Sequence, residues 1–335
     1  MSSSARTRVV QFGLGSIGLM AVKAVLGRTD LELAGAIDDD LKKVERDVAD
    51  LSGLRRPSGI RVSNRPQEVL GVKRPQVVLH ATQSGLADVF PQLSYCLEAG
   101  AHVVSTCEEL VFPTVRQPRL ARDLDFLARS KGSVVLGTGA NPGLVMDTMA
   151  LVASAACLDV RSVRVERIVD ASTRRESLQR KVGAGLTRSE FRRGLSKGTL
   201  GHRGLLESVH LIANGLGWDL DKVAEKVTPV LSPRSMKTEF VTIRKGEVAG
   251  IHHVCKGFAE RKEKIRLDLQ MFVGVKKPGD QINIKGKPDV TLSFEKGVAG
   301  DEATVAMLLN MIPAVLEASP GLRTMTDISV PRFRA

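Results

Sequence analysis

From Arg8 the chain alternates short β-branched runs with amphipathic stretches: RVVQFG, SIGLMAVKAVLG, LELAGAID and DDLKKVERDVADL read as strand, helix, strand, helix. Apolar runs of period two, separated by segments of helical period, mark βαβ units. The alternation continues through PQVVLHAT, ADVFPQLSYCLEAG, AHVVST, PRLARDLDFLARSKG and SVVLGTG. Strands joined by helical crossovers run parallel, so the pattern predicts an α/β fold opening on a Rossmann domain with a doubly wound parallel sheet.

Past Asn141-Pro142-Gly143 the pattern changes. VRSVRVERIVD, SMKTEFVTIRKG, KIRLDLQMFVGV and VTLSFEKG are longer, more polar strand candidates, and LTRSEFRRGLSKG and GLLESVHLIANGLGW are helical, the latter with Leu205, Val209, Ile212 and Leu216 on one face. This predicts a second α+β domain with a mixed or antiparallel sheet. The segment from Asp301, DEATVAMLLNMIPAVLEASPG, is apolar on nearly every side and carries Pro313; it predicts a buried helix, kinked at the proline, that returns to the first domain. The expected division is 1–143 with 300–335 for dinucleotide binding, and 144–299 for substrate binding and dimerisation.

Composition narrows the class. The chain has 335 residues, 43% hydrophobic and 26% charged, which is ordinary for a globular protein of two domains. No apolar run reaches membrane-spanning length, and MSSSARTRVV lacks a signal-peptide core, so the expectation is a cytoplasmic protein with no membrane partner. Cys96, Cys107, Cys157 and Cys255 form no C-x-x-C pair, which argues against a disulfide framework or a thiolate metal site. Net charge is +12, and nine Lys/Arg between Arg174 and Arg203 face only Glu176 and Glu190. Aromatic content is only 4%, however, so a basic solvated face is expected rather than a nucleic-acid platform.

Gly13-Leu14-Gly15-Ser16-Ile17-Gly18 lies between the first strand and the first helix, the context that makes G-x-G-x-x-G informative. Gly13 permits the tight turn, Gly15 lets backbone N–H groups approach a pyrophosphate, and Gly18 allows close strand–helix packing, with Ser16 and Ile17 opening the helix whose positive end faces the anion. Twenty residues after Gly18, Asp38 ends the second strand, where a carboxylate accepts hydrogen bonds from the ribose hydroxyls. The implied cofactor is NAD or NADP, with Asp38, Asp39 and Asp40 favouring NAD by repelling a 2′-phosphate; Lys42 and Lys43 oppose that bias. Asp39 or Asp40 is instead expected to cap the following helix. Two further strand-end loops are candidates for the nicotinamide half: Ala81-Thr82-Gln83-Ser84-Gly85, where Thr82 or Ser84 can alternatively cap a helix, and Ser105-Thr106-Cys107-Glu108-Glu109.

Glu108 and Glu109 fall where a reacting carbon belongs. A capping box is the competing reading, because Ser105-x-x-Glu108 and Thr106-x-x-Glu109 both fit its pattern, but Pro113 follows too soon for a strong helix. Taken with this turn, the strings VVQFGLGSIG, HATQSG, VVSTCEEL, GTGANPGLVMD, LQRKVGAGLT and GDEATVAMLLNMIP resemble, in order and separation, the 2,4-diaminopentanoate dehydrogenase and native amine dehydrogenase family, a branch of the dihydrodipicolinate-reductase-like folds. The resemblance spans nearly the whole chain.

It implies a homodimer that interconverts a small primary amine with a ketone plus ammonia, using NAD(P). It makes Glu108 the catalytic carboxylate, places Asn141 and Pro142 beside the nicotinamide, and brings Arg180 and Lys181 near the substrate. Asn141-Pro142 also fits an ordinary turn, and Arg180 and Lys181 also fit surface cations. The implied alternatives are a 2,4-diaminopentanoate dehydrogenase proper, an imine or dihydrodipicolinate-type reductase, and a non-catalytic NAD sensor. His252-His253 reads as structural; no metal site is expected.

Overall fold

A computed structural model describes residues 6–333; residues 1–5, which open the segment inspected for a targeting signal, and 334–335 lie outside the described residues. The chain divides into two compact units, one running to Leu144 and resuming at Ala299, the other spanning Val145–Val298.

The first unit begins β1 (Thr7–Phe12), α1 (Ser16–Leu26), β2 (Leu31–Ile37), α2 (Val48–Leu51), β3 (Val62–Ser63), α3 (Pro66–Lys73), β4 (Val77–His80), α4 (Leu86–Glu98) and β5 (His102–Ser105). A 3₁₀ turn (Glu108–Val111), α5 (Pro118–Ser130) and β6 (Val134–Gly137) follow. β1 pairs with both β2 and β4, every pairing in this sheet is parallel, and β3 extends one flank while β5 and β6 extend the other. The chain therefore leaves β1 in one direction and returns on its other side at β4, which makes a topological switch point between them, where open α/β sheets form ligand crevices at the carboxyl ends. β1, β4 and β5 are buried almost throughout by Val9, Val10, Val77, Val78, Leu79, Val103 and Val104, as a sheet covered on both faces requires.

The second unit contains α6 (Thr148–Ser154), β7 (Asp159–Asp170), α7 (Glu176–Lys181), α8 (Arg188–Ser196), α9 (Leu205–Gly215), β8 (Lys222–Leu231), β9 (Met236–Lys237), β10 (Thr242–Ile243), β11 (Val248–Ala259), β12 (Lys262–Phe272), β13 (Gly279–Lys287) and β14 (Val290–Glu295). Its main sheet has the order β14-β13-β7-β12-β11-β8 and is mixed: β7 and β12 are parallel, and the other neighbours antiparallel. Alternate residues of β12 (Ile265, Leu267, Leu269, Met271) and of β7 (Val163, Val165) are buried in one core with Leu205, Val209 and Ile212 of α9. The chain then re-enters the first unit as α10 (Gly300–Asn310), α11 (Ile312–Glu317) and β15 (Gly321–Arg323), which adds a seventh parallel strand beside β6.

Three local readings are corrected. DDLKKVERDVADL is not one helix: 41–46 form hydrogen-bonded turns, and only Val48–Leu51 is helical, capped by the Asp47 side chain on the Ala49 N–H. SMKTEFVTIRKG makes a small hairpin of β9 and β10 instead of a long strand. The apolar segment after Asp301 is two helices, with Pro313 starting the second instead of kinking a continuous one, consistent with proline's tolerance in a first helical turn.

Candidate functional site

The glycine turn shows which glycines the fold needs and which it leaves open. Gly13 has φ +89°, and a Cβ there would run into the Ala81 carbonyl; a Cβ on Gly18 would overlap the Gly13 carbonyl. Both are required by backbone approach. Gly15 is different, since a Cβ there would meet nothing within 4 Å. Its bareness serves no internal packing and leaves room for a ligand against the backbone. Gly15 is also the cap residue of α1, which has no side-chain cap and no acidic residue in its first turn, so the N–H groups and positive end of that helix face outward unneutralised, as a pyrophosphate site demands.

Asp38, at the end of β2, is 8% exposed. Its carboxylate accepts the Leu14 N–H at 2.6 Å and the Asp40 N–H at 3.0 Å, and pairs with Lys43 Nζ at 3.1 Å. The side chain is thus fixed beside the glycine turn. Asp40 does not cap a helix, contrary to expectation; it accepts the Lys42 N–H within the turn and pairs with Lys43 at 3.6 Å. The Lys42 hydrogen bond, with Lys43 nearby, holds the Asp40 carboxyl below the usual carboxylate range. These residues border a cleft of about 420 Å³, lined also by Phe12, Asn64, Pro66, Ala81, Thr82, Gln92 and Tyr95. Gly13, Gly15, Asp38, Ala81 and Thr82 are thereby brought together. Asn64, Gln92 and Tyr95 were not singled out from the sequence.

At the carboxyl ends of β4 and β5 the loops are tied to each other. His80 is fully buried between Ser105 Oγ (2.9 Å from Nδ1) and Gln92 Oε1 (2.8 Å from Nε2). Burial pulls its imidazole from 6.5 down to about 4, partly offset by the Gln92 hydrogen bond. Thr82 Oγ1 donates to the same Gln92 oxygen at 2.8 Å; it does not cap α4, whose cap is Gly85 without a side-chain bond. The Leu86 N–H, in the first turn of α4, instead donates to Glu109 Oε2 at 2.9 Å, and the Ser84 carbonyl accepts the Glu109 N–H at 3.2 Å.

The competing capping-box reading is not what forms: Ser105 Oγ accepts the Cys107 N–H, and the turn's own cap, Cys107, makes no side-chain cap bond, its thiol donating to the Ser84 carbonyl instead. Burial pushes the Cys107 thiol up, so it stays protonated. Glu108, half-buried, opens the 3₁₀ turn, and Thr106 just before it is also half-buried, its N–H donating to the His80 carbonyl at 2.9 Å.

After β6, the Ala140 N–H donates to Thr304 Oγ1 of α10 at 3.2 Å. Both amide atoms of Asn141, next to Pro142, are buried without a hydrogen-bond partner among the described residues. A carboxamide in that condition fits a ligand that supplies both a donor and an acceptor.

In the second unit, Gln179 is buried and donates to the Ser172 and Arg174 carbonyls, while Arg180 is exposed and pairs with Glu176 at 2.7 Å. Lys181 is half-buried. His252 and His253 lie in mid-strand on β11, paired with Asp268 at 2.8 Å and Glu225 at 3.0 Å. Among the described residues no group of three His, Cys, Asp or Glu side chains is placed to hold a metal, and no helix is long and apolar enough to cross a membrane.

Comparison with known proteins follows the same lines. A family model described as the 2,4-diaminopentanoate dehydrogenase C-terminal domain matches residues 144–334. A 2,4-diaminopentanoate dehydrogenase from Acetoanaerobium sticklandii is 32% identical over 98% of this chain and 94% of its own. An amine dehydrogenase from Streptomyces virginiae is 24% identical over 95% of each. The solved structure of an amine dehydrogenase from Mycobacterium smegmatis superimposes with a TM-score of 0.89, at 24% identity, over 98% of this chain and 97% of that one.

Proposed function

The chain belongs to the 2,4-diaminopentanoate dehydrogenase family, and we propose that it catalyses reversible oxidative deamination of a diamino acid of the 2,4-diaminopentanoate kind, with Glu108 as its catalytic carboxylate. It is an NAD(P)-dependent oxidoreductase acting on CH–NH2 donors. The observation that carries the mechanistic reading is the position of Glu108: it opens the turn at the carboxyl end of β5, in the row of strand ends that also holds the glycine turn and Asp38.

Gly13, Gly15 and Gly18, with the Ser16 and Ile17 N–H groups, form the cradle for the cofactor pyrophosphate. Asp38 orients the adenosine ribose and favours NAD over NADP, since a 2′-phosphate would face three aspartates, with Lys43 already paired to Asp38 and Asp40. Ala81, Thr82, Ser84, Thr106, Asn141 and Pro142 border the remainder of the cofactor, the unpartnered Asn141 amide being suited to a carboxamide. When bound, the nicotinamide accepts or returns the hydride.

Glu108 does the acid–base work. Its carboxylate attracts the substrate ammonium, takes a proton to leave the free amine and releases that proton to solvent; ionised again, after oxidation it accepts a proton from the water that attacks the substrate iminium, and in reverse it positions ammonia. Residues 144–299 hold substrate and form the contact of a cytoplasmic homodimer, with Arg180 or Lys181 as anchor for a substrate carboxylate. A second reading, a small primary amine lacking a carboxylate, is favoured by the 24% identity to an amine dehydrogenase over 95% of both chains.

The test is reduction of NAD and, separately, NADP by the purified protein with 2,4-diaminopentanoate, cyclohexylamine or 2-aminobutane, together with the reverse reaction of ketones with ammonia. Turnover confined to the diamino acid supports the first reading and turnover of plain amines the second; silence with all of them removes both.

A further inference from the structure

The cleft contains one polar group whose hydrogen-bond direction is dictated from inside the protein. Ser105 Oγ, fully buried, accepts the Cys107 N–H at 3.1 Å, so its own hydroxyl proton needs an acceptor, and the group 2.9 Å away is His80 Nδ1. Were Nδ1 the protonated nitrogen, the Ser105 hydroxyl would be left as a buried donor without a partner, which costs more than any gain from the alternative tautomer. Nδ1 is therefore the acceptor. The proton of the neutral imidazole then sits on Nε2 and donates to Gln92 Oε1 at 2.8 Å, where Thr82 Oγ1 donates as well. With its oxygen engaged twice, the Gln92 amide cannot flip, and its NH2 group, which has no protein partner among the described residues, is committed to the cleft as a donor.

Gln92 borders the cleft along with Asp38, Asn64, Pro66 and Tyr95. Gln92 reaches this cleft from the β4 side and faces Asp38, Asn64 and Pro66 across it, so the half of the cofactor that the cleft would take is the one whose ribose Asp38 accepts, the adenosine.

We propose that Gln92 is a specificity-determining residue that donates from its amide NH2 to an acceptor atom on the adenosine half of the cofactor, and that His80 is the positioning residue which fixes the direction of that donation. The proposal rests on the reading of the cleft as a dinucleotide site. Adenine offers ring nitrogens as acceptors, and a fixed donor rewards them while a rotating amide would not discriminate. The same relay ends, through Ser105 and Cys107, at the turn bearing Glu108, so the Gln92 side of the cleft and the catalytic turn share one chain of hydrogen bonds.

The experiment is calorimetric binding of NADH, ADP-ribose and reduced nicotinamide mononucleotide to the full chain and to Gln92→Glu and Gln92→Met. Both variants lack the donor. Gln92→Glu keeps the acceptor oxygen for His80 and Thr82, and Gln92→Met adds no charge. The expected result is about tenfold weaker binding of NADH and ADP-ribose by both, with the mononucleotide, which lacks adenosine, unaffected. Unchanged ADP-ribose affinity, weakening by the charged variant alone, or equal weakening of the mononucleotide each overturns the role of Gln92.

For His80, a KM for NAD that rises in His80→Leu and recovers in His80→Gln, which can still donate to Gln92, is expected; equal KM in all three proteins overturns the positioning role. If the unaltered protein binds neither NADH, NADPH nor ADP-ribose, it is the dinucleotide reading that fails.

Discussion

Acid should destabilise this protein through His80, and the size of the effect follows from where the residue sits. The folded chain holds the imidazole neutral, with its titration displaced from 6.5 to about 4, chiefly because no solvent reaches it. In the unfolded chain the same ring protonates near 6.5. Between those values the unfolded state binds the extra proton, so stability rises with pH: the contribution is fully present above about pH 6.5 and is lost as pH falls toward 4. The displacement corresponds to about 3 kcal/mol at about 1.36 kcal/mol per pH unit.

His102 and His210 are displaced downward by burial in the same direction; the comparison must therefore be with a variant and not with a blank. His80→Gln cannot titrate. Urea unfolding of both proteins at half-unit steps from pH 4 to 7.5 should give curves that converge on acidification, the unaltered protein losing about 3 kcal/mol more than the variant. Curves that stay parallel would refute the assignment of His80 as a buried neutral histidine.

Glu108→Gln should lower turnover by about 10²- to 10⁴-fold with NADH binding retained in calorimetry, since it removes the proposed acid–base group and keeps the shape. Gly15→Ala should fold with an unchanged melting temperature, because a Cβ there meets no protein atom, yet bind NADH at least about tenfold more weakly; Gly18→Ala should lower the melting temperature, because its Cβ overlaps the Gly13 carbonyl. Asp38→Ser should raise KM for NAD and narrow the gap to NADP in steady-state kinetics. Arg167 and Asp280 form an ion pair at 2.6 Å with side chains 3% and 0% exposed, and desolvation outweighs their mutual attraction at both ends, lowering the arginine and raising the aspartate. Arg167→Met should cost about 3 kcal/mol in urea unfolding by stranding that carboxylate, and Arg167→Met with Asp280→Leu should recover most of it.

The parts of the fold written in local pattern were legible in the sequence. Parallel strands between crossover helices gave the first sheet its period, and the glycine spacing with Asp38 pointed to residues that border one cleft. What was not legible depends on tertiary contact. The stretch 41–46 has helical composition, but Asp38 and Asp40 draw in the Asp40 and Lys42 N–H groups and hold the chain in turns. Ser105 and Thr106 match a capping box, yet Ser105 is claimed by His80 and Cys107, and Glu109 by the first turn of α4. β9 and β10 were over-read because a β-branched run carries no information about where its pairing partner stops. Gln92 and Tyr95 gave no signal of their own, since a residue becomes part of a cleft wall only through the neighbours that β4 and β3 bring to it.

The return of α10, α11 and β15 to the first sheet has a consequence for synthesis. The unit spanning Val145–Val298 is one uninterrupted stretch of chain, whereas the unit that opens the chain waits for residues from Ala299 onward. α10 packs on α1, the helix that carries the glycine turn, and β15 closes the edge beside β6. On the ribosome, then, the part translated first is completed last, reversing the usual amino-terminal-first order. Until the carboxyl-terminal segment emerges, the first sheet has six strands and β6 is a bare edge, open to pairing with another chain.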